Sequence, residues 1–252
     1  MIALAGPRVL ETLDALPASG RDVVLALDLS GSMEREDFDL DGARVSRLAA
    51  VQTVASRFVL GREGDRVGLV VFGDRAYVAA APTHDVAAVA QVIDTAMIGV
   101  SGRSTAIADG LGLAIRRLRG REAKSRVILL LSDGQDTTGA VDPVAAARAA
   151  AALGIRVHTI ALGPRDLETS PGARDAVDTA TLRAIAEAAG GVMFRVRNTD
   201  DLRAVTDAVD RLEPSAAAAP PIRGWHALWP WPAAAALLLL GAAMLSRPEE
   251  TA

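Results

Sequence analysis

"VVLALDLSGSM", residues 23–33, sets an unbroken apolar run through Leu27 directly against Asp28, Ser30 and Ser32, with Gly31 between the serines. A continuous run of Val, Leu and Ala reads as a strand covered on both faces, the pattern of a parallel sheet packed between helices. Ligands of such sheets bind outside the carboxyl ends of the strands. An acid and two hydroxyls at that end therefore read as a binding loop.

Composition narrows the field. A chain of 252 residues fits one domain with length to spare. Half of it is hydrophobic, yet it holds three Trp, one Tyr and four Phe, so the core must be built mainly from Ala, Val, Leu and Ile. The net charge of -4 is mild and no basic stripe is visible, which argues against nucleic acid. Arg116 and Arg117 read as a solvated helix face. Cysteine is absent, which excludes disulfides, thiolate metal sites and cysteine nucleophiles.

Working outward from residues 22–28, strands are predicted over 65–72, 76–81, 126–132, 156–162 and 192–196, with 76–81 an antiparallel edge. Helices are predicted over 46–60, from His84-Asp85 to Ile93, over 105–119, from Pro143 to about Leu153, over 180–189 and over 200–212. This alternation predicts a doubly wound, mainly parallel α/β sheet with helices on both faces. The domain spans 21–212. Residues 213–224, opening "EPSAAAAPP", read as a linker. Residues 225–246 read as a transmembrane helix, because 227–246 carry no charge and Trp225, Trp229 and Trp231 gather at one end. Residues 247–252 are a tail. Residues 1–20 begin apolar and stop at Gly6-Pro7-Arg8, as the stub of a membrane helix or a plain terminus would.

Three loops at strand ends carry polar residues: Asp28 to Ser32, Ser104-Thr105, and Ser132-Asp133-Gly134. All their donors are hard oxygens, which suit Mg²⁺ or Mn²⁺ in octahedral coordination. Ser30 and Ser32, at alternate positions of an extended loop, can face one ion, and Gly31 permits the tight turn between them. With two acids nearby, an ion so held stays electrophilic and accepts an external carboxylate, which is chemistry for adhesion. Alone, Asp-x-Ser-x-Ser could equally cap a helix.

Taken together, "DLSGS", "STAIADGL" and "LLLSDG" resemble the three parts of the metal-ion-dependent adhesion site of a von Willebrand factor A domain. The resemblance implies Ser30, Ser32 and Thr105 as direct ligands of Mg²⁺ or Mn²⁺, Asp28 and Asp133 acting mostly through water, and a partner's Asp or Glu completing the shell. "GDRVGLVVF", "SRVILLLSDG" and "AALGIRVHTIALG" extend it to the bacterial aerotolerance (Bat) membrane proteins. That family implies a MoxR-type AAA+ ATPase and other A-domain membrane proteins as partners, an inner-membrane location and a periplasmic A domain. The loop "EREDFDLDGARVSR" is longer and more acidic than the family's usual version.

The expected function is cation-dependent protein binding, not catalysis. A scaffold with a vestigial site is one alternative. A Mg²⁺-dependent phosphoester hydrolase is the other, but it would want a second acid where Ser30 stands, and the lone lysine, Lys124, falls at the amino end of a strand. No His, Asp and Ser converge into a triad. His84 is expected at a turn, His158 in the core and His226 at an interface. Asp109, Asp14, Asp37, Asp39 and Asp41 are expected to be solvated charges.

Overall fold

The computed structural model describes residues 8–13, 20–40, 42–138, 141–163, 165–166, 176–196, 199–212, 222–228 and 230–245. Two compact units emerge, one of residues 17–218 and one of residues 1–16 with 219–252.

In chain order the strands are β1 (Arg8–Leu13), β2 (Arg21–Asp28), β3 (Phe38–Leu40), β4 (Ala43–Val45), β5 (Arg66–Phe72), β6 (Ala76–Thr83), β7 (Ser125–Ser132), β8 (Arg156–Leu162), β9 (Arg165–Asp166), β10 (Ala176–Val177), β11 (Met193–Val196) and β12 (Ile222–Ala227). The helices are α1 (Arg47–Leu60), α2 (Val86–Asp94), α3 (Ile107–Leu118), α4 (Pro143–Ala152), α5 (Thr179–Ala188), α6 (Thr199–Leu212) and α7 (Pro230–Leu245).

The larger unit is built on a six-stranded sheet in the order β11-β8-β7-β2-β5-β6. All neighbours are parallel except β5 and β6. Every residue of β2 is buried, as its apolar run predicts. Alternate residues serve opposite layers. Val23, Leu25 and Leu27 pack with α1, α2 and α6, while Val24 and Ala26 pack with α3, α4 and α5. Helix starts follow the expected chemistry: Ser46, Asp85, Asp142 and Asp178 each accept a backbone N–H at their helix, and Pro143 stands in the first turn of α4.

The edge strand β6 runs through Pro82 to Thr83, two residues beyond the predicted end. An edge position tolerates the missing donor. Its ring also lies over Gly68, where an added Cβ would come within 3.0 Å of Pro82 Cγ.

The chain leaves β2 for β5 on one side and later enters β7 on the other, so the strand order reverses beside β2. This switch opens a crevice at the carboxyl ends of β2 and β7. Asp28 and Asp133 stand there.

In the smaller unit, β1 pairs antiparallel with β12, Arg8 opposite Ala227 and Leu13 opposite Ile222. The pairing makes a strand of residues 222–227, which the sequence reading divides between linker and apolar segment. α7 follows, with Leu237, Leu238, Leu239 and Leu240 exposed. It has 16 residues, and among the described residues no helix is long and apolar enough to cross a membrane. Residues 1–7, 213–221, Trp229 and 246–252 lie outside the described residues.

Candidate functional site

The first polar loop leaves β2 at Asp28 and winds into a 3-10 turn, Gly31–Glu34. Asp28 is fully buried and its carboxylate is engaged on both oxygens. Oδ1 accepts the Ser30 N–H at 2.9 Å, and Oδ2 accepts the Ser132 hydroxyl at 2.6 Å. This grip turns the next two hydroxyls toward one another, with Ser30 Oγ 3.0 Å from Ser32 Oγ. Ser30 is buried and Ser32 is partly open, so the pair lies at the edge of solvent.

The second loop is stitched to the first through the backbone. Gly31 N–H donates to the Arg103 carbonyl at 2.9 Å. Arg103 also forks onto Glu34 at 3.0 and 2.6 Å and holds its carboxyl below the usual range. Gly31 does not use a positive φ. Its role lies in close approach, because an added Cβ would meet Arg103 guanidinium atoms at 3.4 Å. Asp74 accepts the Ser104 N–H at 2.6 Å, and Gly102 (φ +92) leaves room for that carboxylate where an added Cβ would meet it at 2.1 Å.

The third loop completes the circuit. Thr105 N–H donates to Thr137 Oγ1 at 2.8 Å, and Thr137 N–H returns to the Thr105 carbonyl at 3.1 Å. Thr105 is thus buried between the Arg103 contact and the Asp133 loop. Gly134 holds φ +80 where an added Cβ would press within 2.4 Å of the Asp178 carbonyl, so the chain can turn sharply past Asp133.

Asp133 is fully buried. Its Oδ1 accepts the Gln135 N–H at 3.3 Å, and its Oδ2 accepts from Arg47 Nη1 at 3.2 Å. Burial, followed by the negative charge of Asp133, pushes Asp28 up to about 7, against the hydrogen bonds from Ser132 and Ser30. Two buried acids so placed are short of positive charge.

The five residues singled out from sequence thus come from loops tied to one another at the switch point. Among the described residues no group of three or more His, Cys, Asp or Glu side chains is placed to hold a metal. Cation binding at this crevice would draw on hydroxyls backed by two acids. That donor set is all hard oxygen and fits Mg²⁺ or Mn²⁺ better than a soft metal.

Sequence reading missed the cation in the site. Arg47 is fully buried at the start of α1 and joins Asp133 to Asp37. Asp37, expected to be solvated, is mostly buried in that ion pair, with its side chain 19% exposed. The available signal was an arginine immediately after a capping serine. A cation in the first turn opposes the helix dipole, so it needs acids to answer it. Thr137 gave no such signal. The remaining expectations on single residues fall as follows. His158 is buried, with Nδ1 accepting the Val192 N–H at 3.1 Å. His84 stands at the turn before α2, and Asp109, Arg116 and Arg117 are exposed on α3. Lys124 precedes β7 at the amino end of the sheet. The side chains of Asp39 and His226 and all of Asp14 and Asp41 lie outside the described residues.

Comparison with known proteins agrees with this architecture. A UPF0353 protein of Nocardia farcinica is 30% identical over 235 residues, covering 83% of this chain and 67% of the relative. The chain spans about half, 47%, of an uncharacterized Borreliella burgdorferi relative. The crystal structure of the conserved hypothetical protein BatB from Bacteroides thetaiotaomicron matches with a TM-score of 0.63 and 26% identity, over 76% of this chain and 98% of that one. An aerotolerance-related membrane protein from Bacteroides fragilis matches equally, with a TM-score of 0.63 and 26% identity over 75% and 96%. A more distant fold match is proximal thread matrix protein 1 of the mussel byssus, whose structure has a zinc-occupied MIDAS motif (22% identity, TM-score 0.59, 81% of this chain and 48% of that one). Residues 22–208 match the von Willebrand factor type A domain, and the chain belongs to that family.

Proposed function

We propose that this chain is a cation-dependent protein-binding module of a bacterial membrane complex and not an enzyme. The observation that carries the reading is the pair of hydroxyls, Ser30 and Ser32, 3.0 Å apart on a loop tied to the buried carboxylate of Asp28, at the crevice that also holds buried Asp133. Ser30, Ser32 and Thr105 would hold Mg²⁺ or Mn²⁺ directly, with Asp28 and Asp133 acting mostly through water. The bound ion would supply an electrophilic centre for a carboxylate. The chain's own work is to fix the hydroxyls. Ser132 and the Ser30 N–H pin Asp28, and Thr137 pins Thr105. A partner's Asp or Glu then completes the shell. Likeness to BatB and to a protein named as an aerotolerance-related membrane protein supports a membrane complex; our reading sets it in the inner membrane, with the A domain in the periplasm and a MoxR-type ATPase and other A-domain proteins as partners. The exposed leucines of α7 favour that helix as the membrane-attached part.

The test is capture from bacterial membranes by the full chain, with Mg²⁺ or with chelator, followed by identification of what differs. Loss of a partner in chelator and in Ser30→Ala/Ser32→Ala is expected. A second reading, a scaffold with a vestigial site, draws on the Arg47–Asp133 pair, in which a guanidinium already answers one acid. Capture indifferent to chelator and to the double substitution would favour it.

A further inference from the structure

The guanidinium of Arg47 reaches across the carboxyl end of the sheet and is shared between two acids. Nε and Nη2 fork onto Asp37 at 2.9 and 2.5 Å, while Nη1 reaches Asp133 at the longer distance of 3.2 Å. The fork is the stronger grip. Asp37 sits just before the β3–β4 hairpin, whose Phe38 is buried in the core beneath α1, and Arg47 N–H donates to the Arg35 carbonyl at 2.9 Å. On the far side, Gly163 leaves space for the guanidinium, since an added Cβ there would lie 3.1 Å from Nη2. The group is held from several sides and cannot lose its proton. A permanent positive charge therefore abuts the acid that would face the cation.

From this we infer that Arg47 and Asp37 together set the cation affinity of the site. Arg47 holds it down by neutralising Asp133, and Asp37 offsets Arg47 by drawing the guanidinium onto itself. The inference rests on the reading of the Ser30–Ser32 crevice as a cation site. Its consequence is functional: with Asp133 already answered, the chain's own donors bind Mg²⁺ or Mn²⁺ weakly, and firm retention waits for the carboxylate of a partner. Arg47 is then a charge-setting residue of the interaction and not a ligand.

Titration calorimetry of the full-length chain in detergent, with Mn²⁺ or Mg²⁺ alone as the probe, tests this. Arg47→Met is expected to tighten cation binding by roughly tenfold, the scale of one unit charge removed at partly buried range. Asp37→Asn is expected to loosen it several-fold, because the charge that draws the guanidinium away from Asp133 is then lost. In the double variant the Asp37→Asn effect should shrink below about twofold, the mark of an effect passed through Arg47. A merely structural Arg47 would weaken binding in both single variants, and that result overturns the inference. If Arg47→Met does not unfold cooperatively, Arg47→Gln takes its place. If neither folds, Asp37→Asn decides alone, and unchanged or tighter binding overturns the inference. No heat from the wild-type chain with either cation would overturn the cation-site reading itself. A wild type that binds, with variants that break the pattern of signs, would overturn the role of Arg47 and Asp37 while leaving the site.

Discussion

The central strand β2 carries acids at both ends, and the two ends treat them differently. At the amino end Asp22 receives Arg66 at 2.6 and 2.9 Å, and Arg21 reaches Asp65 at 2.8 and 2.5 Å. Each of these acids meets a guanidinium. At the carboxyl end Asp28 and Asp133 are both buried, and the guanidinium that meets Asp133 is shared with Asp37. Charge is matched where the sheet is simply closed and left in negative surplus where the loops converge. The Asp28 carboxyl, raised first by its burial and then by the charge of Asp133, reflects both conditions.

The comparison can be broken by experiment. The largest effect is expected at the matched end. Arg21→Met removes a buried guanidinium partner from Asp65, which is 1% exposed, and should cost about 3 kcal/mol in chemical unfolding, with or without Mg²⁺. An effect that Mg²⁺ rescues would mean the two ends are not independent. Next comes Ser30→Ala/Ser32→Ala, which should lower Mg²⁺ affinity at least about 100-fold by calorimetry, or about 2.7 kcal/mol, while unfolding in chelator stays within about 1 kcal/mol.

Asp28→Asn sharpens the contrast, because removing a charge at the surplus end should not destabilise. In chelator at pH 8 the variant should be more stable than the wild type by about 1–2 kcal/mol, since Asn Oδ1 can still accept the Ser30 N–H and its amide can donate to Ser132 Oγ, while neither a buried charge nor its repulsion from Asp133 remains. The sign with pH follows. The folded chain holds the Asp28 proton more tightly than the unfolded chain, so this stabilisation is full below the ordinary carboxylate value of 3.8 and is lost as pH rises through about 7. Wild type in chelator should therefore lose stability between about pH 4 and 7 relative to Asp28→Asn, by thermal or urea unfolding. Saturating Mg²⁺ should remove the difference in slope. Parallel profiles in chelator would show that Asp28 stays ionised without a cation. The smallest effect is expected from Ser46→Ala, which removes the cap of the helix that begins with Arg47 and should cost about 1 kcal/mol in unfolding.

Most of the fold was legible because its signals are local and periodic. The apolar runs of β2, β5, β7 and β8 and the capped amphipathic helices between them leave few topologies. The polar ends of β2 and β7 were legible for the same reason, since a loop that ends a buried strand has its place fixed by the strand. What escaped was pairing between distant segments. Nothing local in "RVLETL" or "IRGWHA" says that β1 and β12 will meet, and short strands such as β3 and β4 lack the length for a period to show. Arg47 was missed because its role depends on two acids, one ten residues upstream and one across the sheet. Asp37 looked like loop charge because an acid in a polar loop is usually solvated, and only the fold brings it beneath a buried guanidinium.

The β1–β12 ribbon has a consequence of its own. Leu13 faces Ile222 in register, and neighbouring strands stand about 4.8 Å apart, so the chain leaves and rejoins this ribbon at a single point. Along the chain, everything between Leu13 and Ile222 thus begins and ends at one rung. A tug on either arm would therefore open the ribbon like a zipper, one rung after another, before the intervening chain is asked to stretch.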